Sequence, residues 1–209
     1  MAENSDVVIV CVGENRFMSG EAASRTRLTL PGVQRELLKA IKETGKPIVL
    51  LLSNGRPLVL DWEKENIGTI VECWQLGSEA GNAIADVLFG KYNPSGKLTM
   101  SFPYNEGQIP VYYNAKSTGR PYVPNVRYVT RYLDCPNEPL YSFGYGLSYT
   151  RFEYGELKLD KDTMVPGEKL RIDVSVANVG NYDGEETVQL YIRAVSYTHL
   201  RAHETPEHL

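Results

Sequence analysis

Three short, almost uninterrupted apolar runs set the frame: "DVVIVCVG" (6–13), "KPIVLLLSNG" (46–55) and "GTIVECW" (68–74). Runs of this length without polar alternation are how strands buried on both faces read. Between the first two, "LPGVQRELLKAIKETG" (30–45) places Val33, Leu37, Leu38 and Ile41 on one helical face. Pro31 near its start and Gly45 near its end fit the usual helix asymmetry. "SEAGNAIADVLFG" (78–90) predicts another helix, with Ser78 as N-cap, Gly90 as stop, and Ala80, Ile84, Val87 and Leu88 inward. "YNPSGKLTMSFP" (92–103) predicts a turn and a further strand. Strand–helix repetition over residues 1–105 predicts an α/β fold, a mostly parallel sheet with helices on both faces.

Residues 106–153 form an irregular cover and linker rich in Tyr, Pro and Gly. Its tyrosines suit packing against neighbouring surfaces, with a sugar-stacking role open to one or two. Over 154–194 the texture becomes all-β: "EKLRIDVSVANVG" (168–180) sets Leu170, Ile172, Val174 and Val176 against Arg171, Asp173 and Ser175. "ETVQLYIRA" (186–194) repeats the alternation with Val188, Leu190 and Ile192. With "FEYGELKLD" (152–160) these make about three strands, where an immunoglobulin-like sandwich needs about seven, so a truncated sandwich is expected. The final stretch "VSYTHLRAHETPEHL" (195–209) abandons the pattern and reads as sequencing-adapter read-through, not native sequence.

That tail carries His199, His203 and His208, all the histidines of the chain. Without it, Ser-His-Asp, Cys-His and His-metal mechanisms fall together. Cys11, Cys73 and Cys135 make no pattern, and Cys11 and Cys73 are expected to be buried free thiols. A net charge of −4 without a basic stripe argues against nucleic acid. No run approaches the roughly 18 apolar residues of a membrane span. Met1 leads into the first strand without a signal peptide, so the natural N-terminus is expected upstream.

The chemistry concentrates after the first strand. "VGENRFMSGEAASRTRLTLPG" (12–32) leaves the carboxyl end of that strand, where open parallel sheets place their ligands. It has no glycine-rich phosphate fingerprint and no Walker lysine, which argues against a nucleotide-binding domain. Its titratable groups are Glu14 and Glu21, with Arg25 and Arg27 nearby. A glutamate in a water-poor pocket can act as a general acid near neutral pH. The plain alternative is a solvated loop with surface ion pairs. Arg56, in "SNGRPL" at the end of the second strand, is open to a site contact or an anchoring ion pair. Trp74 reads as core, Trp62 could stack on a sugar, and Asp61 and Asp86 default to surface or capping roles.

"GENRFMSGEAASRTRLTLPGVQRELLKAIKETGKPIVLLLSNGRPL", "GNAIADVLFGKYNPSGKLTMSFP", "GQIPVYYN", "STGRPY" and "YSFGYGLSYTRF", in that order, resemble family 3 glycoside hydrolases. The likeness is greatest to the bacterial periplasmic β-glucosidases of that family, and it runs over residues 5–194. The resemblance implies an N-terminal (β/α)8 barrel absent from this sequence, then an α/β sandwich (here 1–105), then a fibronectin type III-like domain of which only the start is present. It implies that the barrel carries the nucleophilic aspartate and that Glu21, in "GEAASR", is the general acid/base. Glu14 is the alternative acid/base or a supporting residue, and Arg25 binds substrate or anchors the loop.

The implied reaction is retaining hydrolysis of a β-glucoside or oligosaccharide, with the two carboxyls about 5–5.5 Å apart. No cofactor and no metal is expected. The full-length protein is expected in the periplasm or outside the cell, and this fragment is expected to be inactive alone. A non-catalytic carbohydrate-binding or interaction module is the competing reading.

Overall fold

The computed structural model describes residues 2–116 and 119–192, so the three histidines and the stretch 195–209 lie outside the described residues. The described residues divide into two compact units. One holds the chain up to Ala80, Leu98–Tyr145 and the residues from Leu190; the other holds Gly81–Lys97 and Gly146–Gln189. Among the described residues no helix is long and apolar enough to cross a membrane.

The first unit is built on a parallel sheet of β1 (Val8–Gly13), β2 (Ile48–Ser53) and β3 (Thr69–Glu72), in that order. Val10 pairs with Leu50 and Leu50 with Ile70, so Val8, Val10, Val12, Leu50, Leu52 and Ile70 share one face. That face meets Leu38 and Ile41 of α1 (Gln34–Glu43), together with Leu30, Leu58, Leu60 and Phe102, in the hydrophobic core. Gly45, at φ +72, closes α1 as its sequence position predicts.

The other face is less covered than the apolar runs imply. Leu51 is buried in the central strand, but Val7, Ile9 and Cys11 of the first run are exposed. An edge strand has a neighbour on one side only, so its outward side chains lose half of their lateral cover. The expectation of a buried Cys11 is therefore corrected. Cys73 is buried, and burial pushes its thiol up to about 11, which makes it inert.

The predicted apolar face of α1 also narrows. Leu38 is fully buried and Ile41 packs on the core, whereas Leu37 is exposed and Val33, at the N-cap position, is exposed too. The buried stripe is one residue wide because a single sheet face receives it.

Arg35 of α1 makes a two-pronged bond to the fully buried Glu63 of α2 (Asp61–Asn66), Nε–Oε1 2.9 Å and Nη2–Oε2 2.8 Å. It also reaches the Val59 carbonyl and Asp61, so Asp61 joins this cluster from the first turn of α2. Residues 98–102 do not form the predicted strand. They exchange single bonds with 141–145, the Leu98 amide donating to the Tyr145 carbonyl and the Phe102 amide to the Tyr141 carbonyl, both at 2.8 Å. Buried Gln108 holds the irregular cover in place, accepting from the Tyr104 amide and donating to the Pro136 and Glu138 carbonyls. Most of its tyrosines, including Tyr112, Tyr113, Tyr122 and Tyr128, are exposed.

In the second unit β4 (Phe152–Tyr154) pairs antiparallel with β7 (Val176–Asn178), and β5 (Lys158–Leu159) with β6 (Ile172–Asp173). Leu170 and Ile172 are half-buried, but Val174 and Val176 are exposed, so the alternation is only partly realised as an inward face. Residues 186–192 form no strand, and Val188, Leu190 and Ile192 are exposed. Alternation makes a strand only where a partner edge accepts its backbone bonds. α3 (Ala80–Leu88) follows a 3-10 turn over Gly77–Glu79, and Ile84, Val87 and Leu88 are half-buried. Ser78 lies inside that turn and does not cap the helix. Gly90, at φ +73, ends it as predicted. Asp86 pairs with Lys91 at 3.1 Å.

Candidate active site

The carboxyl ends of the three parallel strands lie side by side, and each is followed by polar groups: Glu14 and its loop after β1, Asn54 and Arg56 after β2, and Gln75 after β3, which itself ends on Glu72. The loop is closed at its base. The Gly13 amide donates to Gln34 Oε1 at 2.8 Å, and Gln34 Nε2 donates back to the Gly13 carbonyl at 3.0 Å. Strand end and helix start are thereby pinned together, and the residues between them must arch outward. A side chain at Gly13 is excluded, since a Cβ would stand 1.8 Å from the Ser53 carbonyl oxygen. At the far end the Leu28 carbonyl accepts from Val59 at 2.7 Å, and its amide donates to Glu106 at 2.9 Å.

Glu14 is the hub. Its side chain is fully buried, with Arg25 Nη1 at 2.5 Å and Arg56 Nε at 3.1 Å from Oε1. The Gly55 amide and Arg56 Nε donate to Oε2 at 3.2 and 3.3 Å. Both oxygens are therefore occupied by donors from the chain itself. Arg25 also donates to the Thr29 carbonyl at 3.3 Å, and Arg27 is exposed.

Glu21 has the opposite environment. It is exposed at the tip of a turn in which the Ala23 amide donates to the Gly20 carbonyl at 3.3 Å. Ala22 completes that turn at φ +57, a left-handed conformation that costs an L-residue about 1 kcal/mol. Among the described residues the Glu21 carboxylate has no hydrogen bond or ion pair. The two glutamates are thus sorted by environment, one locked and one presented.

A third carboxylate, Glu72, sits at the carboxyl end of β3. Glu72 shares the apolar face of β3 with Ile70, and its register partner is Leu52. Burial pushes its carboxyl up to about 7, and the Trp74 amide, donating at 2.8 Å, and the Asn54 side chain pull it back. Glu72 Oε2 and Asn54 Oδ1 are both buried without a hydrogen-bond partner. A proton on Glu72 turns one of these two orphan acceptors into a donor. The only sequence signal was a carboxylate at apolar parity in a strand.

This predicts a pH effect of definite sign. The folded value lies above the unfolded one, so stability from this group is full below about pH 4.5 and is lost as pH rises through about 7. Glu72→Gln, which imitates the protonated form, is expected to remove that loss. Urea unfolding of both proteins from pH 5 to 8 checks it: the wild type should weaken relative to the variant by up to about 1.4 kcal/mol per pH unit. Parallel curves would refute it.

Both tryptophans pack on the core. Trp74, at φ +47, lies 5.8 Å from the Phe102 ring, and Trp62 lies under Lys39.

The family profile described as "Glycosyl hydrolase family 3 C-terminal domain" matches residues 1–149. The chain is 51% identical over 197 residues to a periplasmic β-glucosidase of Salmonella typhimurium, covering 93% of this chain and 26% of that protein. It is 44% identical over 192 residues to a β-xylosidase of Formosa agariphila, covering 92% of this chain and 26% of that one. The structure of a Listeria innocua β-glucosidase in complex with glucose superposes with a TM-score of 0.82 at 46% identity, over 85% of this chain and 25% of that one. A mutant of the Listeria enzyme, solved in complex with laminaribiose, gives 0.83 at 45% identity, over 87% of this chain and 25% of that one. The chain thus spans about a quarter of the length of these relatives, and it belongs to glycoside hydrolase family 3, in the region of that family's C-terminal domain.

Proposed function

We propose that this chain is the acid/base-bearing portion of a retaining β-glycosidase acting on terminal β-linked glucose. Glu21 is the general acid/base, and the nucleophilic aspartate is carried by an N-terminal (β/α)8 barrel of the same protein. The observation that carries the reading is the contrast at the strand ends: Glu14 has every oxygen engaged, whereas Glu21 is held out on an arched loop with its carboxyl free. A general acid must reach a leaving oxygen in a pocket it does not itself form, and an arched loop with a pinned base does that.

In the first step the barrel aspartate attacks the anomeric carbon while the glycosidic C–O bond breaks and the Glu21 proton passes to the leaving oxygen. In the second, water gives a proton to the Glu21 carboxylate and attacks the same carbon, releasing the aspartate. Arg25 and Glu14 anchor the loop. Residues 154–194 are the start of a fibronectin type III-like domain, and the full-length protein is exported to the periplasm, as the Salmonella relative's name suggests for that protein.

The test is stereochemical. The full-length protein should hydrolyse an aryl β-glucoside with the β-anomer of glucose appearing first by proton NMR, while the 209-residue chain alone shows no turnover. Release of the α-anomer first would refute retention, and turnover by the isolated chain would refute a nucleophile outside it. Sugar binding by the isolated chain, with no turnover by the full-length protein, would favour a non-catalytic binding module.

A further inference from the structure

We infer that Arg56 is the positioning residue that fixes the tip of the Glu21 loop. The inference rests on the reading of Glu21 as the acid/base.

Arg56 lies three residues past the end of β2, and its guanidinium is divided between two tasks. Nε bonds the buried Glu14 carboxylate, 3.1 Å to Oε1 and 3.3 Å to Oε2. Nη2 donates to the carbonyls of Met18 and Ala23, the latter at 2.8 Å. Met18 and Ala23 bracket Ser19–Ala22, so one planar group clamps both feet of the segment that carries Glu21. Between Asn15 and Ala23 the only backbone bonds among the described residues are the weak turn closure at Ala23 and the Met18 amide to the Asn15 carbonyl at 3.0 Å. The left-handed Ala22 persists only where its surroundings over-determine it. Gly55 completes the seat: a Cβ there would stand 1.8 Å from Ser19 Oγ, so the loop lies directly against the backbone beside Arg56.

Lysine cannot replace this fork. One ammonium on a flexible stem does not reach a carboxylate and two divergent carbonyls in fixed geometry. Among the described residues the Arg56 guanidinium bonds only Glu14 and the carbonyls of Met18 and Ala23, so its effect on catalysis passes through the placement of Glu21. A displacement of about 1 Å in a catalytic group can cost about 100-fold in rate.

The experiment uses the full-length enzyme with Arg56→Lys, and two substrates differing in leaving group, methyl β-glucoside and 2,4-dinitrophenyl β-glucoside. Arg56→Lys is expected to lower kcat/KM by about 30-fold or more on the methyl glycoside and by less than about 3-fold on the dinitrophenyl one. Amide hydrogen exchange should accelerate over residues 15–27 and stay unchanged in the core strands. Arg35→Lys, which loosens the buried Glu63 pair away from the loop, is the control and should lower both substrates equally. If the lysine variant does not fold, Arg56→Gln replaces it on the same readouts.

Equal losses on both substrates, no loss, or unchanged exchange in the loop would overturn the inference. Glu21→Ala on the same pair separates the two readings. If it shows leaving-group selectivity and the Arg56 variant does not, only the role of Arg56 fails. If Glu21→Ala is itself unselective, the acid/base assignment fails and the role of Arg56 falls with it.

Discussion

On the acid/base role proposed for it, Glu21→Ala in the full-length protein is expected to lower kcat/KM for methyl β-glucoside about 10³-fold while leaving kcat/KM for 2,4-dinitrophenyl β-glucoside within about 10-fold. The reason lies in the leaving group. Methoxide departs only with a proton, and dinitrophenolate departs without one. kcat on the activated substrate should nevertheless fall, because the second step loses its general base and glycosyl-enzyme accumulates. KM should fall with it. Azide, small enough to occupy the truncated position and needing no base, should restore turnover and give a β-glycosyl azide. Equal losses on both substrates without azide rescue would remove Glu21 from the proton transfer.

The second large effect concerns Glu14. Its side chain is fully buried and holds Arg25 and Arg56, each about one-fifth exposed. Removing a carboxylate from such a cluster leaves two half-buried cations without a counter-charge and the Gly55 amide without its acceptor. Glu14→Ala is therefore expected to cost about 3–5 kcal/mol in urea unfolding. Asp86→Ala, which breaks the exposed pair with Lys91, should cost under about 1 kcal/mol. Azide should not rescue Glu14→Ala, since no site next to the anomeric carbon is vacated. A rescued Glu14 variant of normal stability would instead make Glu14 the acid/base.

How far the site could be read in the sequence differs from residue to residue. The location of the loop was legible, because "DVVIVCVG" reads as a strand of a parallel sheet, and its exit is a carboxyl end. The separate environments of Glu14 and Glu21 were not. Seven residues apart in one polar loop, they are sorted by Arg25 from the loop itself and by Gly55 and Arg56, which arrive after a strand that follows a whole helix later. Glu72 was hidden for a related reason: a lone carboxylate closing a strand looks solvent-bound until the register places it beside Leu52.

Periodicity and apolar runs determined the three parallel strands, α1 and the glycine stops at Gly45 and Gly90, since these follow from local conformational preference and from which side chains must leave water. Only the tertiary structure decided that Cys11 faces outward, that 98–102 trades single bonds with 141–145 and makes no strand, and that 186–192 is left without one. Each depends on whether a neighbour is there to cover a side chain or accept a backbone bond. The same holds for the clamp on the Glu21 loop, whose donors and acceptors lie up to 42 residues apart in the chain and meet only because β1 and β2 run side by side.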